Sequence, residues 1–196
     1  MTGSSVLPVT IHKGKLLFLF GKENPNEISA KGFSDFGGGV EKGEGIYETA
    51  LREGGEELTG FLGDSEDIRK LIARNGGIYK ISHNDYHCHL FYIPYDQNLV
   101  TYFNFNHRFL WERLDKNILS KSKLFEKIEI EWFTIQNIKK RLSEFRSFYR
   151  DIALKIVGKE KEIINFINSR KTRRKATTKR RKNISIKQNN SIFDPL

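Results

Sequence analysis

Cysteine is almost absent. Cys88 is the only one in 196 residues, which excludes an intramolecular disulfide and points to a reducing compartment. No stretch approaches the roughly 18 consecutive apolar residues of a membrane span. The start, MTGSSVLPVT, lacks the basic and apolar regions of a secretory leader. These absences lead to the expectation of an intracellular protein, cytoplasmic or nuclear, without a membrane partner. Internal repeats are missing as well. What is present suits one domain with a sizeable core: 38% hydrophobic residues, 12% aromatic, and fifteen Phe among them, a composition far from that of a disordered chain.

The net charge of +10 is unevenly placed, since ten of the 34 basic residues and one of the 24 acidic ones lie from Asn168 onward. The preceding residues are close to neutral. The expected organisation is therefore a globular domain over residues 1–167 and a basic disordered tail over 168–196, where RKTRRKATTKRRKN cannot bury enough apolar surface to fold alone. Such a tract neutralises phosphates without reading sequence, so RNA is the expected tail partner. It also fits a nuclear localisation signal, or a solvated tail without a specific partner.

Along the chain, Val6 to Ile11 and Lys15 to Phe20 are β-prone runs around Lys13-Gly14, as in a hairpin. A loop with Pro25 and Asn26 follows, and Phe33 to Phe36 leads into Gly37, Gly38 and Gly39. Gly45 to Leu58 has a helical pattern. Its Gly54 and Gly55 each cost about 1 kcal/mol relative to Ala, so packing or a ligand has to hold that helix. Arg69 to Ala73 reads as a short helix, and Gly77 to Ser82 and His87 to Ile93 as strands. Residues 94–125 mix aromatics and polar residues without a sustained period, as in an insertion with some helix. Ile128 to Phe133 alternates as a strand, Thr134 to Lys140 enters a helix, and a long amphipathic helix is expected over Leu142 to Ile167 with a break at Gly158.

The densest chemistry is in Gly37 to Phe61, GGGVEKGEGIYETALREGGEELTGF. On a helix Glu53, Glu56 and Glu57 stand at i, i+3 and i+4, so their carboxylates share one face within a single turn. Ile46, Tyr47, Ala50, Leu51 and Leu58 occupy the adjacent arc and would pack. Anions that close repel unless a hard cation gathers the oxygens, and Mg²⁺ is the usual partner where phosphates complete the shell. A solvated acidic face is the alternative for three glutamates taken alone.

With Gly38, Glu44 and Arg52 in place as well, the stretch resembles the Nudix box, G-x5-E-x7-R-E-U-x-E-E-x-G-U with U apolar. Its wording is also similar to that of Nudix proteins of large DNA viruses, some of which remove mRNA caps. Two departures stand out. Gly54 occupies an apolar position, and Thr59 occupies the terminal Gly position with Gly60 one place late, as if one residue were inserted after Glu57.

The resemblance implies an α/β fold of the Nudix type, a mixed sheet sandwiched between helices. It also implies a pyrophosphohydrolase that cleaves the diphosphate of a nucleoside-diphosphate-linked substrate, an RNA 5′ cap included, with Mg²⁺ or Mn²⁺. By the same resemblance Glu53, Glu56 and Glu57 are metal ligands, with the Gly38 carbonyl as an addition. Arg52 orients Glu53, and Glu44 anchors the loop or approaches a second ion. The general base in this family often lies outside the box. Glu129 and Glu126 are the downstream carboxylates in reach of that role, Glu129 first. A different class is a Nudix-fold nucleotide or RNA-binding module without catalysis.

His83, His87, Cys88 and His89 invite a zinc reading, but His87 and His89 share one face of a strand while Cys88 points away, and no CxxC accompanies them. Ordinary strand or pocket histidines are expected. The aromatics Tyr102 to Trp111 are expected to be core more than base-stacking surface.

Overall fold

The computed structural model describes residues 2–24, 31–121 and 126–169. Residues 25–30, which include Pro25 and Asn26 of the expected loop, and 170–196, nearly all of the expected tail, lie outside the described residues.

The framework begins with β1 (Gly3–His12) and β2 (Lys15–Glu23), antiparallel around Lys13 and Gly14. Both turn residues have positive φ, 47° and 73°, the two-residue hairpin geometry that matches strand twist. In β2 the run Leu16 to Phe20 is buried throughout, so the strand carries apolar side chains to both faces. Phe18 and Phe20 enter one core and Leu19 the other.

Three short or edge strands complete the side around β2. β3 (Phe33–Ser34) pairs with its end, β4 (Phe36–Gly39) runs antiparallel to the start of β1, and β7 (Lys127–Thr134) pairs with β2 on its other side. On the far side of β1, β6 (Tyr86–Tyr92) is parallel to it and forms a hairpin with β5 (Tyr79–His83). The result is one mixed sheet of seven strands among the described residues.

Helices cover both faces. α1 (Ile46–Glu57), α2 (Ser65–Arg74) and α3 (Gln97–Arg113) pack over the core built on Val6, Leu19, Phe91 and Ile130. The second core, on Phe18, Phe20, Leu90 and Phe133, is covered by α5 (Ile135–Lys140), α6 (Arg150–Gly158) and a further helix, α7, over residues 160–169. A short α4 (Lys116–Lys121) follows α3. The α/β sandwich expected of the sequence is therefore present. No helix among the described residues is long and apolar enough to cross a membrane.

Two elements differ from the sequence-based expectation. The single helix expected over Leu142 to Ile167 is instead two 3₁₀ turns (Leu142–Glu144 and Ser147–Tyr149), then α6, then α7 after a break at Lys159 beside Gly158. The first part is not α-helical because Phe145 bridges to Phe33 and the Arg146 N–H donates to the Phe33 carbonyl at 3.0 Å. The backbone there belongs to the sheet edge. Within residues 94–125, α3 is a regular helix of 17 residues. It buries Leu99, Val100, Phe103 and His107, while Tyr102, Phe105 and Phe109 face solvent, which scrambles the apolar period. Asn104 ties α3 to the outer edge of β7. Its Oδ1 accepts from the Ile130 N–H (2.8 Å) and its amide donates to the Ile130 carbonyl (3.0 Å), so a side chain stands in for a neighbouring strand.

Candidate active site

Placement of the site starts with the contact between α1 and β1. Gly54 faces Val6, and a Cβ there would come within 2.5 Å of Val6 Cγ2. A glycine is needed for the helix to lie that close, which accounts for the departure from an apolar residue at this position. Close seating brings Glu57, the last residue of α1, beneath β4, where the Gly37 N–H donates to Glu57 Oε2 at 2.7 Å. Gly38 faces Glu53, whose carboxylate end would have to shift to admit a Cβ there.

The helix ends in a Schellman motif. The Thr59 N–H donates to the Glu56 carbonyl (2.9 Å) and the Gly60 N–H to the Gly55 carbonyl (3.0 Å). Thr59 has φ 48°, in the left-handed region that favours glycine. The position that holds Gly in the box pattern thus keeps a glycine-like conformation while occupied by Thr. This corrects the expected insertion after Glu57: the register runs through without one, and Thr59 bears the strain.

Arg52 organises the carboxylates next to it. It grips Glu44 with Nε to Oε1 (2.9 Å) and Nη2 to Oε2 (3.1 Å), and its Nη1 lies 2.9 Å from Glu53 Oε1 and 3.3 Å from Glu56 Oε2. Thr49 Oγ1 also donates to Glu44, at 2.7 Å. The Arg52 hydrogen bonds hold the Glu44 carboxyl down at about 2. Glu44 is thus fastened to α1, tying the loop before the helix to its second turn.

Glu53, Glu57 and Glu126 each bring one carboxylate oxygen within 4.8 Å of the others. Burial pushes the Glu53 carboxyl up, with Arg52 opposing and Glu56 and Glu126 adding. Burial pushes Glu57 well up too, against the pull of Lys127. Three carboxylates share this space, mostly withdrawn from water, with Arg52 against Glu53 and Lys127 against Glu57. An all-oxygen donor set of this kind fits Mg²⁺ or Mn²⁺.

The remaining sequence-derived residues fall outside that trio. Glu56 sits on the exposed side of α1 against Arg52. Glu129 pairs with Lys22 at 3.4 Å, both of them exposed. His83 lies 3.6 Å from Asp151, His87 3.0 Å from Ser82 Oγ, and His89 3.0 Å from the Ser5 carbonyl, while Cys88 is buried beside the Tyr149 hydroxyl. No group of metal-ligating side chains among the described residues includes any of these four.

The sequence reading missed Lys127. Its side chain is fully buried, with Nζ bonded to Glu23, 2.9 Å from Ser34 Oγ and 3.3 Å from Glu57 Oε1. Burial alone would lower its pKa, yet Glu57 and Glu23 together raise it, so it stays an ammonium. Arg146 extends the network through Glu23 at 2.6 Å. The available signal was faint: an inward lysine at the start of an alternating strand, directly after Glu126.

No protein-family model matches the chain, and no curated protein does. Solved structures similar in chain trace include a C. elegans Ap4A hydrolase in a binary complex, at 14% identity and TM-score 0.47 over 84% of this chain and 98% of that one. A NUDIX hydrolase from Nitrosomonas europaea is similar at 18% identity and TM-score 0.37, covering 79% and 87%. A MutT protein from Methanosarcina mazei Go1 is similar at 20% identity and TM-score 0.42, covering 82% and 94%. Each likeness is distant, so the chemistry rests on the residues themselves.

Proposed function

We infer that the chain is a Nudix-type pyrophosphohydrolase that cleaves the diphosphate of a nucleoside-diphosphate-linked substrate with Mg²⁺ or Mn²⁺. The observation that carries this reading is the convergence, within 4.8 Å, of Glu126 with Glu53 and Glu57 of a helix whose Arg52, Glu53, Glu56 and Glu57 match the box. Glu53, Glu57 and Glu126 would hold the ion, with the Gly38 carbonyl and the exposed Glu56 of the same helix as further donors. Once bound, the ion supplies charge neutralisation and Lewis acidity to the diphosphate.

The protein's own groups do the rest. Arg52 fixes the Glu53 carboxylate through a charge-assisted contact and leaves Glu44 no freedom to wander from the loop. The Gly37 N–H and Lys127 fix Glu57 from two sides. Glu126, the trio member just before β7, is the carboxylate best situated to take a proton from an attacking water, ahead of Glu129, whose carboxylate is turned to Lys22.

The test is Mg²⁺-dependent hydrolysis on a panel of dinucleoside polyphosphates, nucleotide sugars and capped RNA, for wild type and Glu57→Gln. Equal, negligible turnover by both would leave the non-catalytic binding module as the better reading. RNA as a substrate or partner is favoured by the charge concentrated from Asn168 onward. Deleting 170–196 should weaken RNA binding at low salt and spare turnover of small dinucleotides. Unaltered RNA affinity after the deletion would remove the tail from the account.

A further inference from the structure

A cavity of about 540 Å³ lies beside β4, within the range of roughly 300–1,000 Å³ common for small-molecule sites. One of its walls is the backbone of Gly37, Gly38 and Gly39. Since Gly38 also abuts Glu53, a molecule reaching over this strand would touch both the cavity and the carboxylate trio.

The remaining lining includes Phe148 and Arg146, from the segment that leaves the helical path at the sheet edge, and His83 and Tyr86 from the β5–β6 hairpin. Phe148 is 46% exposed, yet its ring is held in place. Tyr86 packs against it at 5.8 Å, Tyr149 at 6.2 Å, and the Arg146 guanidinium lies 4.9 Å from its centroid. The 3₁₀ turn that carries it is anchored by the wholly buried Tyr149 and by the Arg146 N–H bond to Phe33. An aromatic ring fixed by its neighbours and still open to a cavity offers a stacking surface whose ordering cost is already met.

Charge decides which part of a nucleotide fits. Among the described residues Arg146 is the one Lys or Arg in the lining, and Glu23 engages it at 2.6 Å, while Asp85 and Asp151, the latter 3.6 Å from His83, add two carboxylates. A diphosphate finds no spare Lys or Arg there among the described residues, whereas a neutral planar group with amino or imino donors finds acceptors. We propose that this cavity receives the nucleobase of the substrate, stacked on Phe148, with Asp85 and Asp151 accepting from its polar edge, while the diphosphate crosses Gly38 to the carboxylate trio. This rests on the hydrolase reading above and names the recognition element of the same site.

The experiment is isothermal titration of the full chain, with Mg²⁺ present, by GMP, AMP and UMP and by ribose 5-phosphate, none of which carries a diphosphate to cleave. The nucleotides should bind wild type more tightly than ribose 5-phosphate does. Phe148→Ala should weaken nucleotide binding by about tenfold or more, the loss expected of one base–aromatic stack, and Phe148→Trp should restore it. Circular dichroism and thermal melts of both variants establish that they are folded. Nucleotide affinity equal in wild type and folded Phe148→Ala, or ribose 5-phosphate binding as tightly as GMP, would overturn the proposal. Because the titration needs no turnover, the two readings fail separately. Hydrolysis by wild type with Phe148-independent binding sinks only the cavity assignment, and Phe148-dependent binding without hydrolysis of any panel substrate sinks only the hydrolase reading.

Discussion

Lys127 Nζ lies 3.3 Å from Glu57 Oε1, and the two side chains are 0% and 4% exposed. The ammonium is a buried counter-charge to the carboxylate cluster. Lys127→Met would leave Glu57 and Glu23 buried without it, and removing one partner of a buried ion pair typically costs about 3–5 kcal/mol. A lowered urea midpoint of that size is expected. A midpoint within error of wild type would mean that the carboxylates are neutral or hydrated without Lys127.

The carboxylates should rank by their membership of the trio. Glu53→Gln, Glu57→Gln and Glu126→Gln are expected to reduce Mg²⁺-dependent turnover by more than about 100-fold, beyond the 10–100-fold usual for outer-shell partners. Glu56→Gln and Glu129→Gln, whose side chains pair with Arg52 and Lys22, are expected to cost about tenfold or less. Steady-state kcat together with the Mg²⁺ half-saturation concentration gives the ranking. A larger loss for Glu129→Gln than for Glu126→Gln would reverse the choice of proton acceptor.

Stability should depend on pH in a direction that the metal modifies. Burial raises the Glu53 and Asp35 carboxyls above their ordinary values of 4.5 and 3.8. The folded state therefore holds protons that the unfolded chain has released, and metal-free protein loses stability as pH rises through those raised values. Mg²⁺ competes with the protons on the cluster, so its addition should increase Tm more at pH 8 than at pH 5. Asp35→Asn should flatten the part of the profile that Mg²⁺ does not touch. Glu44 acts the other way. Held at about 2 by Arg52, it contributes above its ordinary value of 4.5, and that contribution is lost as pH falls toward 2. Thermal melts in EDTA and in Mg²⁺ across pH 3 to 8 give all three slopes; a Mg²⁺ shift independent of pH would contradict the account.

Thr59→Gly should stabilise the protein. A β-branched residue at φ 48° bears a left-handed cost of roughly 1–2 kcal/mol, and its hydroxyl is buried without a hydrogen-bond partner. Glycine returns part of the gain through the greater freedom of the unfolded chain. The net expectation is about 1 kcal/mol in urea unfolding, with kcat unchanged because glycine keeps the left-handed angle at 59 and so leaves the helix end that carries Glu57 where it is. A destabilised Thr59→Gly would show that Thr59 contributes packing the backbone angle does not reveal.

The box was legible because its chemistry is local. Glu53, Glu56 and Glu57 share a helix face by spacing alone, and Arg52 reaches Glu44 across a single loop. The hairpin at Lys13-Gly14, the strands around His83 and His87, and the alternation in Ile128 to Phe133 were legible for the same reason, as one-dimensional periods. α3 was not, since Tyr102, Phe105 and Phe109 on its solvent face obscure the stripe of Leu99, Val100, Phe103 and His107. The segment before α6 was misread because Phe145 and Arg146 give their backbone to Phe33, a contact no local pattern encodes.

By itself the sequence determined the residue types of the candidate site, their helical phase, and the separation of a near-neutral body from a basic tail. Tertiary structure alone decided that Glu126 rather than Glu56 or Glu129 completes the trio, that Lys127 neutralises its inner side, and that Phe148 opens onto a cavity across Gly38. Those partners lie on β7 and the following turns, far from the box in the chain. Only the pairing of β7 with β2 and the close seating of Gly54 on Val6 bring them within reach, and both depend on packing between distant segments rather than on any spacing in sequence.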